Sequence, residues 1–251
     1  MKTLFSAVTS VLVLGILSVG LVAQTSAGRY DGVIQGRVSQ ELAKKQEFRK
    51  IQETTEDGIV TLTGTVDLYQ QKLDAAKRVR KLANIQGVRN LITVAGTVVP
   101  DAELAAKLDR KLYYDRIGYD NQFNFVTASV KDGVATLNGE TRTEFDRDSA
   151  LAIAYTTPGV KDVVNEVKVA PVSIFDDRIR ISALRAIYRD PVLSRYAIDP
   201  ALPIRIVVDR GHLSLYGTVA STMDKNIAGI RANQVFGAFS VQNNLQVVKG
   251  S

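Results

Sequence analysis

The sequence predicts an α+β fold of three tandem modules, each a three-stranded sheet with two helices on one face, in the order αββαβ. Three observations predict this fold. A ten-residue phrase, Asp-Gly-Ile-Val-Thr-Leu-Thr-Gly-Thr-Val in its first copy, recurs twice with matching chemistry. Strand-like and helix-like patterns flank every copy in the same order. The copies are offset by 75 and 78 residues (133 − 58 and 211 − 133), and such a period indicates repeated folding units.

The first glycine of each phrase marks a hairpin turn. Gly58 and Gly133 follow aspartate, and Gly211 follows arginine. Between two extended runs, Asp-Gly favours a type I′ turn, whose two central residues both need a positive φ. Apolar residues then alternate, as Val60 and Leu62 do in the first copy, which predicts a half-buried strand.

The second glycine of each phrase has the same parity as these apolar residues. Gly64, Gly139 and Gly217 are therefore expected to point toward the core. A glycine inside a strand usually permits the close approach of another backbone, and we expect a helix to cross the sheet at this point. The alternative is that these glycines only end their strands.

The first module is assigned to residues 28–99. It opens with a helix capped by Asp31, which carries an apolar residue at every fourth position. Its second helix is expected to be capped by Asp67 and ended by Gly87, in the position that a C-terminal glycine takes. Strands are expected at residues 49–55, directly after the turn, and at 88–94.

The second and third modules are assigned to residues 100–171 and 172–251. In the second we expect a helix from Pro100-Asp101, strands at 125–131 and 134–140, a helix at 142–155 broken by Pro158-Gly159, and a strand at 160–169. In the third we expect a helix from Asp176, an insertion at 190–203, strands at 204–208 and 213–217, a helix at 221–235, and Gly237 before the last strand.

The N-terminus has the pattern of an export signal. Lys2 precedes an apolar run from Leu4 to Ala23, and small residues follow at 25–27. This pattern predicts a signal peptide over residues 1–27, with an uncleaved inner-membrane anchor as the alternative. The chain has no cysteine, which excludes disulfides and a lipidated cysteine. An exported protein without disulfides fits a bacterial periplasm.

These repeats resemble the BON domain, named for bacterial osmotically inducible periplasmic proteins and nodulation proteins, and in particular the osmotically inducible periplasmic protein Y family. The shared pattern is a hairpin glycine, Leu-x-Gly, a helix, then Gly-Val and a short strand with asparagine. Its positions here are Gly58, Leu62, Gly64, Gly87, Val88 and Asn90; Gly133, Leu137, Gly139, Gly159, Val160 and Asn165; and Gly211, Leu215, Gly217, Gly237 and Asn243. The third copy has Ala238 in place of the valine, and the gap from Gly87 to Asn90 is short.

The resemblance covers essentially the whole chain after residue 27 as three tandem copies. It implies a periplasmic or envelope protein that responds to osmotic or other envelope stress. It also implies binding to phospholipid surfaces, or a chaperone-like or potassium-linked role. The family's motif positions are structural glycines and core residues, so the resemblance supplies no catalytic residue.

The composition argues against catalysis. The only histidine, His212, has the parity opposite to Leu213 and should face solvent. Without cysteine, thiol catalysis and Cys/His metal sites are excluded, and we expect no metal and no cofactor. The acidic residues Glu144, Asp146 and Asp148 fall early in a predicted helix, where they offset its dipole.

Two basic groups are candidate lipid-binding residues. The first is a row of arginines that fall within about 40° of each other on a helical wheel, with a tyrosine beside them. No single helix shows the bulky exposed apolar face of an inserting segment. The alternative interpretation is an ordinary solvated helix face. The candidates are Arg178, Arg185, Arg189 and Tyr188, and in the first module Lys77, Arg78 and Lys81.

The formal net charge of +6, together with export, favours anionic partners other than nucleic acid. We therefore expect a non-enzymatic envelope protein whose modules bind anionic phospholipid surfaces peripherally, in osmotic or envelope stress protection. The alternative is a periplasmic protein-interaction module with a holdase-like role toward envelope proteins. Salt separates the two, because exposed charges are screened over about 10 Å at 0.1 M.

Overall fold

The three repeats fold as three αββαβ modules in a computed structural model, which describes residues 28–115, 120–199 and 203–248. The predicted signal peptide, residues 1–27, lies outside the described residues. The helices are α1 (Asp31–Ala43), α2 (Tyr69–Arg80), α3 (Asp101–Tyr114), α4 (Glu144–Thr156), α5 (Ile174–Tyr188) and α6 (Thr222–Asn233). None of these helices is long and apolar enough to span a bilayer.

The strands follow the predicted positions within a few residues. They are β1 (Ile51–Glu56), β2 (Ile59–Val66), β3 (Gly87–Asn90), β4 (Thr93–Val94), β5 (Phe125–Lys131), β6 (Val134–Thr141), β7 (Asp162–Val169), β8 (Arg205–Asp209), β9 (His212–Tyr216), β10 (Thr218–Val219), β11 (Ser240–Asn243) and β12 (Gln246–Val247). In each module the first two strands form an antiparallel hairpin, and the last pairs in parallel with the second. The second strand is therefore central, and a helix makes the crossover.

The type I′ turns are confirmed. Both central residues have positive φ in every copy: 50° and 76° for Asp57 and Gly58, 55° and 80° for Asp132 and Gly133, and 47° and 80° for Arg210 and Gly211. A non-glycine residue rarely adopts this region, and aspartate tolerates it better than most residues. Arg210 adopts it without that advantage.

The second glycine of each phrase does permit a close backbone contact, but not with a helix. Added Cβ atoms would collide with the carbonyl oxygens of Lys50, Phe125 and Pro203, respectively. Phe125 is the first residue of its antiparallel partner strand, and Lys50 and Pro203 lie just before theirs. The expectation of a crossing helix is therefore wrong, because the close neighbour is the first strand of the same hairpin.

The prediction that Gly87 ends a helix is also wrong. α2 ends at Arg80, and Gly87 is the first residue of β3, without a positive φ. The positive φ after the helix belongs to Asn84 (69°), as it does to Gly159 (102°) and Gly237 (91°) in the other modules. Each of these three residues lies six positions before the strand asparagine, namely Asn90, Asn165 and Asn243. Asn84, and not Gly87, is therefore the counterpart of Gly159 and Gly237. With this alignment the distance to the strand asparagine is the same in all three repeats.

Two predicted helix caps have different roles in the structure. Asp31 is the first residue of α1, and its carboxylate accepts hydrogen bonds from the turn N–H groups of Asp57 (2.9 Å) and Gly58 (2.8 Å). Asp67 does not cap α2, because Leu68 precedes the helix and the side chain of Gln71 accepts from both residues. The contact between this carboxylate and the hairpin turn recurs in the other two modules. Asp101 accepts from the N–H groups of Asp132 and Gly133, and Asp176 accepts from those of Arg210 and Gly211.

Each module has its own apolar core between its sheet and its two helices, and neighbouring cores are linked by aromatic side chains. Tyr69 of α2 packs against the second core, with its ring centroid 5.4 Å from that of Tyr155. Phe123, in the loop before β5, is buried in the third core. The N–H of Ile206 donates to the carbonyl of Gln122 at 2.8 Å, which ties the same loop to β8. The modules therefore pack on one another.

Candidate functional site

The first helix of the third module, α5, presents the main candidate residues. Ser173 caps it by accepting a hydrogen bond from the backbone N–H of Asp176, and acidic residues fill its first turn. Ile179, Ala183 and Ile187 are fully buried against the third core. This spacing of four fixes which side of α5 faces solvent.

The predicted arginine row lies on that solvent side. Arg178, Arg185 and Arg189 are all exposed. They rise along the helix axis by about 10 Å and then about 6 Å. Among the described residues, every ion pair uses other cations, so no carboxylate neutralises the row. The arrangement can contact several anionic groups at once.

The side chain of Tyr188 is directed toward the protein and only partly toward the solvent side that carries the arginine row. It is half-buried, and its hydroxyl donates a hydrogen bond to the carbonyl of Ile204 at 2.7 Å. Burial raises the pKa of this hydroxyl above its ordinary value. Tyr188 therefore holds α5 against the strand that follows the insertion, and only part of its ring is available to a ligand.

Arg180 is the arginine of α5 that the sequence analysis did not place in the row, and it is buried. It donates to the carbonyl of Val208 at 2.6 Å and to the carboxylate of Asp177 at 2.9 Å. Asp177 also pairs with Arg142 of the second module at 3.1 Å. This network joins the second and third modules. The exposed arginine row lies on the opposite side of α5.

The second basic candidate lies in a cleft of about 390 Å³ beside α2. Lys77 and Lys81 are exposed there, but Arg78 lies 3.3 Å from the carboxylate of Glu41. The hydrogen bond from Lys44 lowers the pKa of Glu41, so this carboxylate stays charged. Asp74 lines the same cleft. The carboxylates offset part of the positive charge, which makes this cleft the weaker anion site.

The histidine of the third hairpin lies at the surface. His212 is exposed as expected, and its Nδ1 lies 2.7 Å from the hydroxyl of Ser240. Its ring meets Phe239 edge-on, with centroids 6.2 Å apart. Within residues 28–115, 120–199 and 203–248, no three His, Asp or Glu side chains form a group that could hold a metal ion.

The sequence analysis missed a group of exposed apolar side chains at the N-terminal end of α5. We call this group the aromatic tip; it consists of Ile174, Phe175, Phe236 and Phe239. Phe236 is 95% exposed and Phe239 is 73% exposed. No single element carries the group, so helix periodicity could not reveal it. Aligning the three modules position by position would have shown that only the third has phenylalanines in the loop before its last strand, whereas Tyr30 of the first module stands at the position of Phe175.

The comparisons with known proteins agree with the repeat. Among curated proteins, none matches the chain. Solved structures resemble it weakly. CdsD, a structural protein of the type III secretion system of Chlamydia trachomatis, has 12% identity and a TM-score of 0.25, covering 86% of this chain and 94% of that one. The periplasmic domain of the inner membrane protein PrgH from S. typhimurium has 11% identity and a TM-score of 0.21, covering 83% and 99%. Likenesses this weak carry no argument.

The family comparison is decisive. The BON domain matches residues 30–96, 100–171 and 189–249, which together make up most of the chain. The third matched segment begins just after α5. The three hairpin phrases, with their turn and strand glycines, all lie inside the matched segments. The chain therefore belongs to the BON domain family and carries three tandem BON domains.

Proposed function

We propose that this protein is a non-enzymatic, exported envelope protein that binds anionic phospholipid surfaces peripherally and serves in osmotic or envelope stress protection. The observation that carries the proposal is the exposed row of Arg178 and Arg185 on α5 and Arg189 at its C-terminal cap. Family membership and the export signal predicted from the sequence support a location where such surfaces are present.

The row suits a charged surface rather than one compact ligand. Its three guanidinium groups spread over roughly 16 Å along one helix face, which exceeds the reach of a single small anion. A basic residue near an anionic membrane contributes about 1 kcal/mol, so three together give weak, reversible binding. The cleft beside α2 can add to this binding, although Glu41 and Asp74 reduce its charge.

Cosedimentation with vesicles tests the proposal. The protein should begin at Gly28, because the predicted signal peptide would itself enter a bilayer and because the three cores lie between Ile34 and Leu245. We expect binding to vesicles of equal parts phosphatidylglycerol and phosphatidylcholine at low salt, with none to pure phosphatidylcholine. Binding should weaken as salt rises, because screening shortens the reach of exposed charges.

A charge-matched pair of variants locates the site. Arg178, Arg185 and Arg189 are changed together to glutamate in one variant. In the control, the same substitution is made at Lys107, Arg110 and Lys131, which are exposed in the second module. Loss of binding in the first variant alone supports the proposal. Equal loss in both points to net charge without a site, and no binding at low salt by the unchanged protein overturns the proposal in favour of a protein partner.

A further inference from the structure

The aromatic tip is assembled from two segments that are distant in the chain. Ile174 and Phe175 lie in the first turn of α5, while Phe236 and Phe239 lie in the loop between α6 and β11. The rings of Phe175 and Phe239 are 5.8 Å apart, and the N–H of Phe239 donates to the carbonyl of the turn residue Gly211 at 2.8 Å. The tip is therefore held by the backbone.

The other two modules show that the fold does not require aromatic residues here. At the position of Phe239, the first module has Gln86 and the second has Lys161, and both N–H groups make the same bond to their turn glycine, at 2.9 Å. At the position of Phe236, these modules have Ala83 and Pro158. The two loop phenylalanines are therefore particular to the third module, although the first module also has an exposed aromatic residue, Tyr30, at the position of Phe175.

The charge at the tip also differs from that of the other modules. The turn residue is Asp57 in the first module and Asp132 in the second, but Arg210 in the third. The side chain of Arg210 is 87% exposed, and its guanidinium lies 3.3 Å from the exposed carboxylate of Asp209, a surface pair of small energy. Arg178 lies one helical turn from Phe175, on the same side of α5. Arg178 and Arg210 thus flank exposed aromatic side chains. Arg210 occupies the turn position that is an aspartate in the other two modules.

We infer that the aromatic tip inserts into the headgroup region of an anionic lipid surface, with Arg178 and Arg210 on its phosphates. The inference rests on the proposed function and gives that binding a point of insertion. A contiguous group of large exposed apolar side chains marks an interaction site, and phenylalanine is among the residues that interfacial segments bury at the headgroup boundary. The flanking arginines match phosphate charge and geometry, which favours a lipid surface over an apolar protein groove.

The composition allows a direct test, because the chain has no tryptophan. Phe236→Trp places a single fluorophore at the tip, in the protein that begins at Gly28. Phe145→Trp is the matched control, since Phe145 is 69% exposed on α4 of the second module. The vesicles are equal parts phosphatidylglycerol and phosphatidylcholine, with and without bromine on the acyl chains, and cosedimentation is measured on the same samples.

Insertion predicts a blue shift and quenching by brominated lipid for Phe236→Trp but not for Phe145→Trp. Cosedimentation without a blue shift or quenching at position 236 overturns the insertion and leaves the electrostatic proposal intact. No cosedimentation at all overturns both. Equal quenching at both positions also overturns the inference, because it shows general adsorption of the protein.

A second variant removes the two loop phenylalanines of the tip without threatening the fold. Phe236→Ala with Phe239→Gln copies the residues of the first module, Ala83 and Gln86. We expect it to bind the same vesicles about 10- to 100-fold more weakly than the unchanged protein. The remaining binding should be abolished by salt, whereas the unchanged protein should keep a salt-resistant part. Unchanged affinity and salt dependence in this variant would overturn the inference.

Discussion

The carboxylate of Asp176, in the first turn of α5, accepts a hydrogen bond from the backbone N–H of Gly211 at 2.8 Å. A second bond comes from the N–H of Arg210 at 3.1 Å. Asp31 and Asp101 make the same pair of bonds in the other modules. This carboxylate clamp fixes the hairpin turn against the first helix and, in the third module, supports the aromatic tip.

Removing the clamp should destabilise the third module. Asp176 is buried, and Asp176→Ala leaves two turn N–H groups without their charged acceptor. We expect the free energy of unfolding to fall by about 3 kcal/mol, since a hydrogen bond to a charged group contributes roughly 1.5–3 kcal/mol. Urea unfolding measures the change. Asp176→Asn should lose less, because its amide oxygen remains an acceptor. A fall below about 0.5 kcal/mol in the alanine variant would contradict the role of the clamp.

Two glycine substitutions test the corrected alignment of the repeats. A Cβ at Gly87 would meet only the side chain of Ile59, at 3.8 Å, so Gly87→Ala should change stability by less than about 0.5 kcal/mol. Gly159 has a φ of 102°, and a Cβ there would lie 2.9 Å from Val99. We expect Gly159→Ala to lower the free energy of unfolding by about 1–3 kcal/mol. Thermal unfolding of both variants checks this difference, and equal effects would count against the alignment.

The link between the second and third modules should depend on Phe123. Its side chain is 6% exposed and lies in the third core, although it comes from the loop before β5. We expect Phe123→Ala to cost about 3–5 kcal/mol, as deletion of a buried phenylalanine does. Hydrogen exchange should rise in both β5 and β8. The control is Phe145→Ala, whose side chain is exposed and whose loss should leave exchange unchanged. Faster exchange confined to the second module would refute the link.

Glu140 should make stability depend on pH. Burial raises the pKa of its carboxyl above the ordinary value of 4.5, and Asp209 adds to the rise while Arg180 opposes it. Because the folded state holds this proton more tightly, the contribution is most favourable below the ordinary pKa and is lost as pH rises through the folded value. Glu140→Gln should therefore be more stable than the unchanged protein at pH 7 and equal to it near pH 4. Urea midpoints across this range measure the difference. A difference that does not vary with pH would rule out this origin.

Much of the fold could be predicted from local patterns. The Asp-Gly turns followed from the backbone freedom of glycine, and the strands followed from alternation around residues such as Leu62 and Leu137, both fully buried. Except at the end of α2, the helix bounds were close, because apolar residues recur at the helical period. These signals act within a few residues, so a sequence displays them directly.

The errors arose where sequence spacing was taken for structural equivalence. Gly87 resembles the motif glycine, yet Asn84 has the matching backbone conformation, because asparagine also tolerates a positive φ. The clamp was missed because Asp31, Asp101 and Asp176 stand at different distances from their turns. Intervening segments differ in length, which hides a contact that each module makes.

The sequence by itself determined three repeated αββαβ units, their turns and the exposed arginine row on α5, because periodicity decides which side of a helix or strand is buried. Only the tertiary structure decided the carboxylate clamps, the passage of Phe123 into the neighbouring core and the aromatic tip. Each of these joins residues that are far apart in the chain. Phe175 and Phe239 become neighbours only because the first helix, the turn and the last loop of the third module pack together at one end. A local sequence pattern carries no information on such a contact.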